Sequence, residues 1–276
     1  HWSQTSGGVG GYCVPGPKDN VFMDGGSGFV TGSKTITIDA ASYCHNITFS
    51  GSAVPPTITG NDPNSLNIYG SSIWQNGMTY SVRTTNYQNN NEVRTITSNG
   101  VQVQFVNFYE TQSLSLLDDY NAQYLYQLAG TWNTNSHRVD IGSSFTANNN
   151  ISKTINLGSS HVYVNSDSGT FNTNSSFTTL NSGTSTIHIV GVIFNDNYGI
   201  SGLGGQTYYD VIFESPSSSA TLIYGGFSAG NPLNFHNVEL KGGGKINGFN
   251  KFNLLVFAPY DTLSELHASA PSRSSL

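Results

Sequence analysis

The chain has 276 residues, only 9% of them charged, and 10 Lys and Arg against 16 Asp and Glu give a formal net charge of −6. Without a basic stripe to neutralise phosphates, nucleic acid is excluded as a partner, and no apolar run reaches the length of a membrane-spanning helix. Asn, Ser, Thr and Gly replace the missing charges, and these residues suit turns and exposed β surfaces rather than helix interiors. The 15 Phe and 15 Tyr, mostly in alternating runs, supply the apolar area that a low-charge chain needs to fold.

Residues 1–34 are Gly-rich and irregular, with Val21-Phe22-Met23 as a short strand candidate. The chain starts at His1-Trp2 with no signal peptide, as expected of a mature product or a fragment. Thr35-Ile36-Thr37-Ile38-Asp39 is the first clear half-buried strand. Cys44 to Phe49, Thr57 to Gly60 and Leu66 to Gly70 follow in the order strand, turn, short strand, Gly. From 73 to 110 the strands lengthen: Met78 to Thr84, Val93 to Thr97 and Val101 to Phe108. Residues 114–129 read as two strands joined at Asp118-Asp119. Short apolar alternations then recur through Ile155, Val162 and Phe171.

The stretch 186–258 is the most regular. Its apolar runs end at Phe194, Phe213, Leu240 and Phe257. The intervals are uneven but centre on about 20 residues, and repetition at that length is the mark of a solenoid. A βαβ reading fails, because a parallel crossover needs about a dozen residues of connection, usually a helix, and no helical period lies between these strands. The predicted fold is all-β: a single-domain right-handed parallel β-helix over 35–259. Residues 1–34 form an irregular N-terminal cap or first turns, and 260–276, rich in Ser, Ala and Pro, form a tail or cap. The handedness follows from the crossover rule.

The ordered series LSLLDDY, LAGTWNTNSHRV, SSFTANNN, KTINLGSSHVYV, GTFNTNSSF and SGTSTIHIVG resembles a block of very large exported surface proteins of Bacteroidota. Those proteins look like type IX secretion cargo and often serve as adhesins. The N-terminal pieces His1-Trp2-Ser3, Ser6-Gly7-Gly8, Val14-Pro15 and Asp19 to Asp24 fit the same pattern. The resemblance covers roughly residues 1–258, and the tail departs from it. It implies a β-solenoid repeat module at the cell surface.

Candidate chemistry is sparse. Cys13 and Cys44 close a loop of about thirty residues and are expected to form a disulfide, with two buried free thiols as the alternative. Two cysteines alone do not make a structural zinc site. Asp118-Asp119 is the only adjacent acidic pair and reads as a solvated turn. Asp19 and Asp24 flank a short strand and could hold calcium, against a plain turn role. Arg138 and Asp140 lie on one side of a strand by period two and read as a surface pair. His161 and His188 alternate with apolar neighbours and are expected to face solvent. Trp2, Trp74 and Trp132, with the tyrosines, are candidates for a sugar-stacking platform, although most of these rings alternate as core residues. Asn46, Asn150 and Asn174 head N-glycosylation sequons, and Asp261-Thr262-Leu263 resembles a Bacteroidota O-glycosylation site at Thr262. The glycines read as coil corners.

The carboxylates look scattered along the chain, whereas polysaccharide lyases and hydrolases need them clustered. The function expected is therefore a non-catalytic, exported structural or adhesive module: a stalk, adhesin segment or filament subunit without a cofactor. Self-association, end to end, and surface glycans are its expected partners. A carbohydrate-binding module, or a polysaccharide lyase or hydrolase on the same fold, is the alternative, since fold alone does not fix function.

Overall fold

The computed structural model describes residues 2–32, 34–167, 169–191, 198–214, 221–226, 228–242 and 244–257. Phe194, Thr262 and the 260–276 tail lie outside the described residues. The described chain is all β-strand and turn, with no helix. Its strands pair in parallel throughout, each with the strand one coil earlier and one coil later, so the chain winds as a β-solenoid.

Three ladders run along the axis. The first begins with Val21–Met23, Ile47–Phe49, Ser72–Ile73 and Arg94–Thr97, and continues through Lys153–Asn156 and Thr178–Asn181. The second includes Thr35–Thr37, His161–Val164 and Thr186–Ile189, and ends in the last half of Asn250–Phe257. The third runs from Ser42–Cys44 through Phe171–Thr173 and Thr221–Gly225 to Lys245–Asn247. The longest strands, Gln102–Leu116 and Tyr120–Asn133, turn two corners and serve all three ladders. The first strand of the solenoid is Val21–Met23, the short strand candidate within 1–34.

Register explains the repeat. Ala122, Ile141, Val164, Ile189, Phe213, Leu240 and Phe257 align one above the next in the second ladder. The length of chain between successive members of this row differs from coil to coil, so corners absorb insertions while the strands keep their pitch. Alternation then sends every second residue inward. Inside, aromatic rings form a nearly unbroken column. Tyr87, Phe108, Trp132, Phe145, Phe171, Tyr208, Phe235 and Phe252 follow one another at centroid distances of 4.6–6.5 Å. Buried tyrosine hydroxyls within it are satisfied by stacked polar residues: Tyr87 with Ser72 at 2.7 Å, and Tyr208 with Thr173 at 2.7 Å.

Corners are stacked as carefully as strands. Asp118 accepts the backbone N–H groups of Ser98 and Asn99, each at 2.6 Å, and Asp119 accepts that of Arg138 at 2.9 Å. The acidic pair expected to be merely solvated therefore clamps the corners before and after it. Gly158 and Gly183 occupy one corner column, both with φ +59°, and a Cβ on Gly183 would sit 2.2 Å from the Gly158 carbonyl oxygen. Only glycine fits there, by conformation and by space. On the outside, Asn133, Asn156 and Asn181 form an amide ladder with hydrogen bonds of 2.6 and 2.7 Å.

Cys13 and Cys44 are not joined; both are free thiols. Cys44 is an inward residue of the third ladder, 1% exposed, register-paired with Ile68 and with its Sγ 3.9 Å from the Asn67 carbonyl oxygen. Cys13 lies on the exposed N-terminal segment, whereas the strand's alternation turns Cys44 into the core. That segment is held instead by Trp2, packed against the core, and by Ser6, which donates to Asp24 at 2.7 Å.

Candidate functional site

Two outward surfaces gather the chemistry. On the second ladder, five polar–aliphatic–X triplets come into register: Arg138-Val139-Asp140, His161-Val162-Tyr163, Thr186-Ile187-His188, Asp210-Val211-Ile212 and Asn237-Val238-Glu239. The aliphatic residues point inward and the flanking ones point out. Acids that look scattered in sequence thereby share one face. The recurrence of such a triplet once in every coil is the signal that reveals the grouping.

Each of three acids on this face is paired. Arg138 meets Asp140 in a bidentate pair, Nε to Oδ2 and Nη2 to Oδ1, both 2.7 Å, as expected from period two. Glu214 takes His188 Nδ1 at 2.9 Å on one oxygen and Lys241 Nζ at 2.6 Å on the other. Burial pushes the Glu214 carboxyl up, and the hydrogen bonds from Lys241 and His188 outweigh it and hold the group below its ordinary range. Asp210 is paired with His236 Nδ1 at 3.0 Å and accepts from Asn237 at 2.8 Å.

The rings of this face stack along the axis. Tyr163 is sandwiched, with the Arg138 guanidinium 3.9 Å from its centroid on one side and His188 4.2 Å away at 6° on the other. His161 is exposed as expected, whereas His188 is only 9% exposed. Its neighbours in adjacent coils, Tyr163 and Glu214, cover it. Ring faces are thus used within the stack, and mainly ring edges meet solvent.

The third ladder differs. Phe105 and Tyr124 are cross-strand partners with centroids 4.4 Å apart at 5°. Arg83, itself bound to Asp62 at 2.6 Å, lies 5.0 Å from the other side of Phe105. Tyr126, two residues along the strand from Tyr124, is inclined to it by only 10° at 6.5 Å. In the next coil the register partners of Tyr124 and Tyr126 are Ser144 and Thr146, too small to cover the rings. Two nearly parallel phenol rings therefore end in a step above a floor of small polar residues.

The tryptophans are not part of any platform. Trp74 and Trp132 are 0% exposed, and Trp2 packs against the core. Trp74 and Trp132 both occupy inward positions, which sets their role more strongly than the aromatic type does. Asp19 accepts from the Gly16 N–H at 2.8 Å, and Asp24 accepts from Ser6, Gly26 and Ser27, so the two acids serve separate turns. Among the described residues no group of three or more His, Cys, Asp or Glu side chains is placed to hold a metal ion. Of the sequon asparagines, Asn46 is committed to a corner, donating to Asn20 at 2.8 Å and accepting from the Ser71 N–H at 2.6 Å. Asn150 is exposed and Asn174 half-buried. No family model matches this chain, and neither does any curated protein or solved structure.

Proposed function

We propose that this chain is a non-catalytic structural and adhesive module of an exported surface protein. The observation that carries this reading is the pairing of three of the four acids on the second-ladder face, which leaves Glu239 without a second free carboxyl on that face. Asp140, Asp210 and Glu214 are each engaged by a cation or an imidazole within 3.0 Å. A glycosidase instead needs one carboxyl kept protonated and a second free to act as base or nucleophile. The low charge, and a surface of stacked Asn, Ser and Thr, suit a rod displayed outside the cell. The type IX-secreted surface context implied by the sequence resemblance is the setting this reading adopts.

The test is a direct one. The protein is incubated with a panel of neutral and uronic-acid polysaccharides, and released reducing ends and unsaturated products are measured. No product above buffer is expected, while beads coated with the protein are retained on surfaces bearing intact cells or their glycans. Turnover of any member of the panel overturns the proposal.

A further inference from the structure

We infer that the step formed by Tyr124 and Tyr126 on the third ladder is a binding site for a neutral polysaccharide chain. The inference rests on the adhesive reading above and deepens it by naming a ligand class. Elsewhere on the surface the rings of Tyr163 and His188, and of Tyr209 and His236, lie face to face, but here the stack stops. Phe105 covers one face of Tyr124, and the other face looks along the axis over Ser144. Tyr126 lies beside it at 10°, over Thr146. Neither phenol oxygen has a hydrogen-bond partner among the described residues.

The floor continues the same way for another coil. Thr146 is register-paired with Asn172, and Thr170 precedes Phe171 in that coil. Coils are roughly 4.8 Å apart, so the open floor extends about two coils beyond the rings. Ser144, Thr146, Thr170 and Asn172 are all partly exposed, and none of them carries a charge. A pyranose ring presents an apolar C–H face to an aromatic plane and hydroxyls around its rim. Two nearly parallel rings beside hydroxyl and amide side chains match that division, face to face and rim to floor. An acidic polysaccharide would find no cation on this floor, so a neutral chain is the better match.

The experiment uses the purified full chain, with binding measured by calorimetry against cello-, laminari-, manno- and chito-hexaose and pulled down on the corresponding insoluble polymers. Binding to at least one is expected. Tyr124→Ala and Tyr126→Ala should each weaken it at least about tenfold, and Phe22→Ala, on an exposed position of the first ladder, should leave it unchanged. Ser144→Phe provides the decisive variant. It extends the Phe105–Tyr124 stack by one ring, which cross-strand aromatic pairing favours, and covers the free face. Binding should be lost while the melting temperature holds or rises. A wild type that binds none of the four, or a Ser144→Phe variant that folds and binds as before, overturns the inference. The non-catalytic reading survives either result, because it falls only on turnover.

Discussion

His188 Nδ1 and Glu214 Oε1 lie 2.9 Å apart on adjacent coils, and the other oxygen of that carboxylate receives Lys241. The Glu214 carboxyl is held below its ordinary value of 4.5. A group whose pKa is depressed on folding contributes stability above its unfolded pKa and loses it as the pH falls through the folded one. The prediction is that Glu214→Gln destabilises the protein near neutral pH by ~0.5–1 kcal/mol, after allowance for partial exposure. The gap in melting temperature between variant and wild type should then close as the pH is lowered from 7 through 4.5. Melts at several pH values read this out. A gap that stays constant to pH 3 would show that the ion pair contributes nothing.

A second prediction concerns the thiols. Burial pushes the Cys44 thiol up to about 12, while Cys13 is exposed. Only the thiolate reacts with a disulfide reagent, so the native protein should yield one fast thiol per chain and the denatured protein two. Zero thiols in both states would show that a bridge forms after all, with Cys44 swung out of the core.

Much of the fold was legible in the sequence because solenoid strands alternate strictly and their aliphatic residues recur. Ile187, Val211 and Val238 announce the inward rows, and the glycines announce the corners. The lateral arrangement was harder to read. Coil lengths vary, so Asp140 and Glu214 cannot be placed on one face until the register is known. The disulfide expectation rested on the exported look of the composition, which says nothing of direction: Cys44 points inward by strand parity. Likewise Trp74 and Trp132 are alike in type to platform residues, but parity buries them. Phe105, Tyr124 and Tyr126 fall on outward positions, and the two-residue spacing of Tyr124 and Tyr126 was the one clue available. His188 shows the opposite limit: its parity is outward, yet neighbours in adjacent coils bury it.

Lys153 supplies a third prediction. It is an inward residue, 2% exposed, and its ammonium donates to the carbonyls of Asn149 at 2.8 Å and Ile151 at 2.6 Å. Those bonds close the corner that leads from the third ladder back to the first. Burial pushes its pKa down, but the carbonyls compensate for the lost water. Lys153→Ala leaves both acceptors without their donor and opens a cavity, which should cost about 2–4 kcal/mol. Denaturant melts should show it as a lower midpoint, with Lys251→Ala, on an exposed position, near zero. A loss for Lys153→Ala no larger than that of an ordinary surface substitution, about 0.5 kcal/mol, would mean that water replaces the ammonium freely.

The last strand described carries the fourth prediction. Asn250–Phe257 pairs with Leu233–Leu240 along one edge. Its inward Phe257 is 42% exposed against 2% for its register partner Leu240, and Leu254 and Val256, 51% and 38% exposed, put apolar side chains on the outward positions that Asn237 and Glu239 hold one coil earlier. An edge strand with apolar side chains is a template for pairing with another chain, and proteins that stay apart usually blunt such edges with charge. Here Lys251 is the one charged residue in the strand. The prediction is concentration-dependent self-association of this chain, seen as rising mass in light scattering or sedimentation. Leu254→Lys with Val256→Lys should return the mass to that of a monomer without lowering the melting temperature by more than a few degrees, since both side chains sit on exposed outward positions of the last strand described. A wild type that remains monomeric at high concentration would remove the end-to-end self-association expected from the sequence and leave the single rod.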